Sequence, residues 1–262
     1  MTTLVMKFGG ASVASVTQFM QIAQIIGERA EDFERLVVVV SAMGDTTDDL
    51  LKLAHQVNAS PPKRELDMLV TVGERISCSL LAMALEKIGL AAISFTGSQS
   101  GIITCDKHTE ARVIEVKPHR LLPHINKGKV VVVAGFQGVS RQGEITTLGR
   151  GGSDTTAVAL AVALGAERVD FFKDVPGIYA EDPKVNPEAQ LYQALTHQEA
   201  LDLVRGSNHQ VLHERSIVMA QKNGLPLHLL SFKEALDKNK SSGTIIGGSL
   251  KKSPEPFYEE IQ

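Results

Sequence analysis

Two cysteines, Cys78 and Cys105, are all that the chain holds. They cannot build a disulfide framework or a four-thiolate zinc site, they form no C-x-x-C pair, and they suit a reducing cytoplasm. Cys78, within Ile76-Ser77-Cys78-Ser79-Leu80, reads as a core residue. There is no basic surplus either. A net charge of −3 and a pI near 6.2 leave nothing to neutralise a nucleic-acid backbone, although a small anion needs only local arginine and lysine. No apolar stretch approaches the roughly 18 residues that cross a bilayer. Met1 runs straight into Val5-Met6-Lys7-Phe8 with no basic leader. The expectation is a cytoplasmic protein without a nucleic-acid or membrane partner. Internal repeats and low-complexity segments are also missing. The eight histidines show no metal-ligand spacing; His209 and His213 are four apart but sit in no H-E-x-x-H, so a solvated helix or loop is expected there. Neither G-x-x-x-x-G-K-[ST] nor G-x-G-x-x-G occurs, which removes the common nucleotide-binding loops.

What is present is enough for a large core. The chain has 262 residues, 43% of them apolar, which suits one large α/β domain or two small ones. Short apolar runs alternate with helical patterns. Leu4 to Phe8, Leu36 to Val40, Ala91 to Phe95, Lys129 to Ala134, Arg168 to Lys173 and Leu227 to Leu230 read as strands, the β-branched runs among them as buried parallel ones. Helices are predicted after Ser12 as cap (apolar face Phe19, Ile22, Ile25, Ile26), over Asp45 to Val57, over Arg64 to Ile88 with a break near Gly73, along the Ala-rich run after Gly152, over Ala194 to Val204 and over Arg215 to Asn223. This alternation predicts a mainly parallel sheet covered on both faces. Gly97 to Val113 and Gln137 to Thr147 are candidate hairpins over one edge, and Lys251 to Pro256 reads as a linker or a loose end.

The stretch from Thr146 to Ala161 is the densest in chemistry. Gly151 and Gly152 precede an apolar helix that Ser153 or Asp154 would cap. A helix start presents free N–H groups, and glycines let an anion approach them. Three other strands end in glycine turns: Lys7-Phe8-Gly9-Gly10, Ser41-Ala42-Met43-Gly44 and Ala134-Gly135. In open α/β sheets ligands bind beyond the carboxyl ends of strands, so these turns together predict one phosphate- or nucleotide-binding crevice. Lys7 is either a snorkelling strand-end residue or a point charge beside a transferring phosphoryl, with Asp154 able to position it. Asp174 marks another strand end. The turns that follow it, through Tyr179 and Asp182-Pro183, either cover an adenosine or are surface loop. Glu74, beside Arg75 in an apolar helix, either binds an ammonium or pairs with an arginine. Arg150, with its planar fork, is the best carboxylate clamp.

Taken together these residues resemble the aspartate kinases of the amino-acid kinase family. The resemblance runs through K-F-G-G-A-S-V from Lys7, V-V-V-V-S-A-M-G-D-T-T-D-D-L from Val37, R-E-L-D-M-L-V-T-V-G-E-R-I-S from Arg64, F-T-G-S-Q-S-G from Phe95, A-G-F-Q-G from Ala134, T-T-L-G-R-G-G-S-D-T-T-A-V-A-L from Thr146 and K-D-V-P-G-I-Y-A-E-D-P-K from Lys173. It implies a three-layer αβα sandwich with a mainly parallel central sheet. It also implies transfer of the γ-phosphoryl of ATP, with Mg²⁺, to the side-chain carboxylate of L-aspartate, a step towards lysine, threonine and methionine. By resemblance, Lys7 and Asp154 are catalytic. Ser41, Thr47, Glu74 and Arg150 bind aspartate. Lys7, Gly9, Gly10, Gly151, Gly152, Lys173, Asp174, Tyr179, Lys184 and Gln210 face ATP. No side chain is assigned to a metal. The nucleophile is a carboxylate with a pKa near ~3.9, already ionised at neutral pH, so no general base is needed.

There are departures. Lys173-Asp174-Val175-Pro176-Gly177 replaces the family's Thr-Asp-Val-Asp-Gly. Lys184 stands where arginine is usual. Gln210 replaces a nucleotide-contacting lysine. The resemblance implies a catalytic domain over residues 1–248, a polar tail over 249–262, and none of the C-terminal ACT domains that sense lysine or threonine. A naturally short enzyme and an excised catalytic domain both give this length. A homodimer is compatible with the family. An amino-acid kinase acting on another acceptor and a non-catalytic nucleotide-binding subunit are the alternative readings.

Overall fold

The computed structural model describes residues 2–181, 185–186, 188–206, 211–237, 243–248 and 255–260. Along the chain run β1 (Thr3–Phe8), α1 (Val16–Asp32), β2 (Arg35–Val40), α2 (Thr46–Val57), α3 (Lys63–Val70) and α4 (Val72–Lys87). Then come β3 (Ala92–Phe95), β4 (Ile102–Thr104), β5 (Val113–Val116), α5 (Leu122–Ile125), β6 (Val130–Ala134), β7 (Gln137–Ser140) and β8 (Ile145–Thr147). The last part holds α6 (Gly152–Leu164), β9 (Arg168–Lys173), β10 (Ala194–Leu195), α7 (His197–Gly206), α8 (Glu214–Asn223), β11 (Leu227–Ser231) and β12 (Thr244–Ile246).

The main sheet has the order β10-β12-β11-β9-β1-β2-β6-β3. Its pairings are parallel except β11 with β12. The central strands are buried on both faces, as their unbroken apolar runs require. Side chains alternate across a strand, so each central strand feeds two cores. Val5, Val37, Val39, Val131, Val133 and Phe171 enter the layer of α6, α7 and α8. Leu4, Met6, Phe8, Val38, Val40 and Phe172 enter the layer of α1 and α4. The result is the three-layer αβα sandwich that the resemblance implies. The two expected hairpins form and join through β4 and β7 into a separate sheet, β5-β4-β7-β8, whose Ile102, Val113 and Val116 share the α6 core. Cys78 is buried beside α1, as expected.

Several boundaries differ from expectation. Ser15, not Ser12, caps α1, its hydroxyl accepting from the Gln18 amide at 3.4 Å; Ser12 lies buried in a preceding 3-10 turn. Gly151, not Ser153 or Asp154, is the N-cap of α6, which moves both polar residues inside the first helical turn. The run at Ala194 opens as a strand because Ala194 and Leu195 pair with β12; the helix starts at His197. The helical run Lys63–Lys87 is long and apolar enough by composition to cross a membrane, contrary to the expectation that no stretch was. It breaks between α3 and α4 at Thr71, and 50% of its most apolar window is buried in the protein. Of the expected loose end, residues 251–254 lie outside the described residues; just beyond it the chain is docked, the Phe257 amide donating to Asn223 Oδ1 at 2.8 Å and Glu259 bound by Arg215.

Phe8 and Phe172 stack at 4.5 Å between centroids, and Phe232 meets Phe8 edge-on at 6.4 Å. The stack lies directly below the sheet edge from which the loops depart. Phe172→Ala is expected to cost about 3–5 kcal/mol, the range for emptying a packed aromatic site, read as a lowered urea midpoint with unchanged m-value.

Candidate active site

Four central strands end level. Phe8 pairs with Val40 and with Phe172, and Val40 with Ala134. The turns at Gly9, Ser41, Gly135 and Lys173 therefore open on one edge, at the carboxyl ends of parallel strands. The first two are stitched together: the Ser41 amide donates to Phe8 O at 3.2 Å and the Gly44 amide to Gly10 O at 3.2 Å.

Alternation along the strands decides where the lysines go. Lys7 shares a face with Val5, and Lys173 with Phe171, so both turn towards α6. There Asp154, in the first helical turn, receives them: Lys7 Nζ lies 2.7 Å from Oδ1 and Lys173 Nζ 2.9 Å from Oδ2. The side chains of Lys7 and Asp154 are only 6% and 7% exposed, so the ions depend on each other for solvation. Burial lowers the Lys7 pKa to about 8 against the pull of Asp154, with Lys173 adding to the lowering. Burial alone would raise Asp154, but Lys173 and Lys7 together hold it well below the usual carboxylate range. Gly9 belongs to the same group: a Cβ there would sit 3.5 Å from Lys7 Nζ.

A cavity of about 550 Å³ opens above this group. It gathers Lys7, Gly10, Ser41, Thr47, Glu74, Arg150, Gly151, Gly152 and Asp154 from β1, the loop after β2, α2, α4 and the start of α6. Glu74 is 3% exposed. Its Oε1 accepts the Ala42 amide at 3.1 Å, while Oε2 is buried with no hydrogen-bond partner. Burial pushes its pKa up to about 7, with the Ala42 amide and the Lys7 charge pulling the other way. Arg150 is exposed to the cavity. Gly151 is held at φ +69°, and a Cβ there would lie 2.2 Å from that of His213, so only glycine fits. His213 is thus half-buried over the loop, not solvated as expected, and its imidazole pKa is lowered by burial and by Arg215. His209 lies outside the described residues.

Not every candidate joins the cavity. Lys173 touches it only through Asp154. Asp174 and Tyr179 do not line it; Tyr179 pairs with Leu191 in an isolated bridge. Lys184 and Gln210 lie outside the described residues. The walls also contain residues that sequence reading did not single out. Asp67 is fully buried and accepts Thr147 Oγ1 at 2.6 Å, the Thr109 amide at 3.1 Å and His108 Nδ1 at 2.7 Å. An acid three residues before Val70 on the apolar face of α3 was its only signal. Phe136, a wall residue at φ +69°, has no signal of its own in the sequence.

Mg²⁺, implied by the resemblance, finds no protein cage here. No group of three or more His, Cys, Asp or Glu converges among the described residues, and both Asp154 oxygens face lysines.

A parallel α/β sheet whose carboxyl edge holds two lysines, glycine turns and a helix start without a side-chain cap is the arrangement of an α/β protein that binds its ligand beyond the strand ends. Residues 2–231 match the amino acid kinase family, and the chain belongs to it. An aspartokinase of Mycobacterium tuberculosis is 47% identical over 97% of this chain and 59% of its own length. The crystal structure of aspartate kinase from Synechocystis superposes with a TM-score of 0.85 at 43% identity, covering 99% of this chain and 42% of that one. Aspartokinase III of E. coli, in complex with aspartate and ADP, superposes at 0.83 with 28% identity, covering 95% and 65%. The chain thus spans about three-fifths of the curated relative's length.

Asp154→Asn leaves two buried ammonium groups without their anion. The expected loss is on the order of 3 kcal/mol by urea denaturation at pH 7. The pH dependence carries a sign. A lysine whose folded pKa is depressed binds fewer protons folded than unfolded, so stability rises with pH between its folded and unfolded values. In the parent that window runs from about 8 to 10.5 for Lys7; in the variant it opens at lower pH.

Proposed function

We propose that this chain is an aspartate kinase catalytic domain over residues 1–248, transferring the γ-phosphoryl of ATP to the side-chain carboxylate of L-aspartate to give 4-phospho-L-aspartate and ADP. The observation that carries this reading is Glu74 Oε2: a buried carboxylate oxygen without a donor, in a cavity shared with an arginine fork and a buried lysine. An amino acid with two carboxylates supplies the three complements. Its ammonium meets Glu74, its α-carboxylate meets Arg150, and its side-chain carboxylate is left facing Lys7. Ser41 and Thr47 add hydroxyls to the same wall.

The chemistry then needs only positioning and charge. The ionised carboxylate oxygen attacks the γ-phosphorus, and the bond to the β–γ bridging oxygen breaks, releasing ADP. The glycine turns at Gly9, Gly10, Gly151 and Gly152 offer backbone N–H groups to the phosphates. Lys7 neutralises the charge that spreads over the transferred group, and Asp154, itself paired with Lys173, holds the Lys7 ammonium at the sheet edge. Asp174, Tyr179, Lys184 and Gln210 belong to the adenosine side by resemblance. Mg²⁺ brought with the nucleotide would add to this charge compensation, with no described side chain assigned to hold it. The identities with named aspartokinases support the acceptor assignment. A cytoplasmic setting is supported by two unpaired thiols. The apolar side chains Val72, Ile76 and Met83, exposed along α4, support a homodimer.

A coupled ADP assay across an amino-acid panel tests the reaction. ADP release is expected with L-aspartate, together with a hydroxamate on trapping with hydroxylamine; release with another acceptor, or with none, overturns the assignment. A pH series tests Glu74. Its free-enzyme pKa of about 7 makes kcat/KM for aspartate rise with pH up to that value, falling about tenfold per unit below it. Glu74→Gln is expected to lower kcat/KM and to abolish this acid limb; an unchanged limb in the variant removes Glu74 from ammonium binding.

A further inference from the structure

The loop that carries Arg150 is anchored from an unexpected direction. Leu148, fully buried, directly precedes it, and its carbonyl oxygen accepts from Arg215 Nη1. The same guanidinium donates through Nη2 to Ala111 O at 2.9 Å. Its remaining contacts go to Glu259, near the end of the chain: Nε to Oε1 at 2.5 Å and Nη2 to Oε2 at 2.8 Å. Glu259 is also a backbone partner. Its Oε2 accepts the Val113 amide at 2.7 Å, and its own amide donates to Val113 O at 3.0 Å. The Glu259 side chain is 7% exposed and that of Arg215 19%. The segment is pinned beside it: Asn223 exchanges two hydrogen bonds with Phe257, at 2.7 and 2.8 Å; Lys222 lies 4.1 Å over the Phe257 ring and pairs with Glu260 at 2.9 Å.

A forked carboxylate–guanidinium pair is the strongest common polar contact and fixes the guanidinium plane. That plane is what aims the other N–H groups at Leu148 and Ala111. Gly149 and Gly151, on either side of Arg150, both have positive φ (+71° and +69°), conformations that glycine takes without strain, and the Arg215 contact fixes where this turn leaves Leu148.

We propose that Glu259 is a positioning residue for the Arg150 loop, acting through Arg215, so that the carboxylate-binding side of the cleft is ordered by the docking of segment 255–260. Whatever displaces that segment loosens Arg150 without touching the lysine pair. The kinetic part rests on the proposed aspartate kinase reading; the structural link does not.

The test uses the full chain and three variants: Glu259→Gln, which is isosteric, Arg215→Lys, which keeps charge but loses the fork, and the two combined. Hydrogen exchange reads the amides of residues 148–154, and steady-state kinetics read KM for each substrate. In Glu259→Gln, exchange of these amides should quicken and KM for aspartate should rise, each on the order of tenfold, the effect of losing one charge-assisted anchor. KM for ATP should stay within about twofold. The double variant should be no worse than the worse single, since both break one link. Unchanged exchange in Glu259→Gln, an equal rise in both KM values, or multiplying effects in the double variant would overturn the proposal. If the parent shows no aspartate-dependent turnover, the functional reading fails, and exchange alone decides the link.

Discussion

A buried carboxylate between two lysines governs this structure. Asp154 is nearly inaccessible, and so are the ammonium of Lys7 and most of Lys173. Two cations and one anion at the edge of a sheet are tolerable only because the carboxylate divides its oxygens between the lysines, which leaves a surplus of one positive charge within this group. Under the proposed function that surplus meets the phosphates. It also explains why β1, β9 and the start of α6 are held in fixed relation: a shift of one residue in either strand would turn its lysine to the opposite face, into the apolar layer of α1 and α4.

The rest of the cleft is arranged by anchors that are not themselves reactive. Asp67 collects Thr147, Thr109 and His108, tying the small sheet to α3 below the cavity. Arg215 holds the carbonyl of Leu148 from the other side. Gly151 takes a left-handed conformation under His213 because no side chain fits there. Glu74 differs from these. Its second oxygen is left without a hydrogen-bond partner at a cost in stability, and the proposed function supplies that partner as the substrate ammonium.

Much of this was legible in the chain, and the reason is local. Unbroken β-branched runs marked the buried parallel strands, and the helix and strand alternation marked the layers. Glycine turns after strands marked the ligand edge, because parallel strands bring their carboxyl ends together. Lys7, Glu74, Arg150 and Asp154 were visible as polar residues in apolar or glycine-rich settings, and they share one cavity. Part of what was misplaced was decided by local backbone geometry and part by contacts distant in sequence. Ser15 displaced Ser12 as a cap through the geometry of the intervening 3-10 turn. Ala194 became a strand by pairing with β12. The segment Phe257–Glu259, just beyond the stretch read as a linker, owes its place to Asn223 and Arg215, and no local pattern announces such partners.

By itself the sequence determined the kind of fold and the residue types of the site, since periodicity, turn chemistry and glycine placement act between near neighbours. The tertiary structure alone decided which charges meet. It gave Asp154 two lysines instead of one, left Glu74 with an unanswered oxygen, and joined Glu259 to the Arg150 loop. Those outcomes depend on strand register and on side chains brought together across long stretches of chain, and electrostatic energies are set by such distances and by burial, which no linear spacing records.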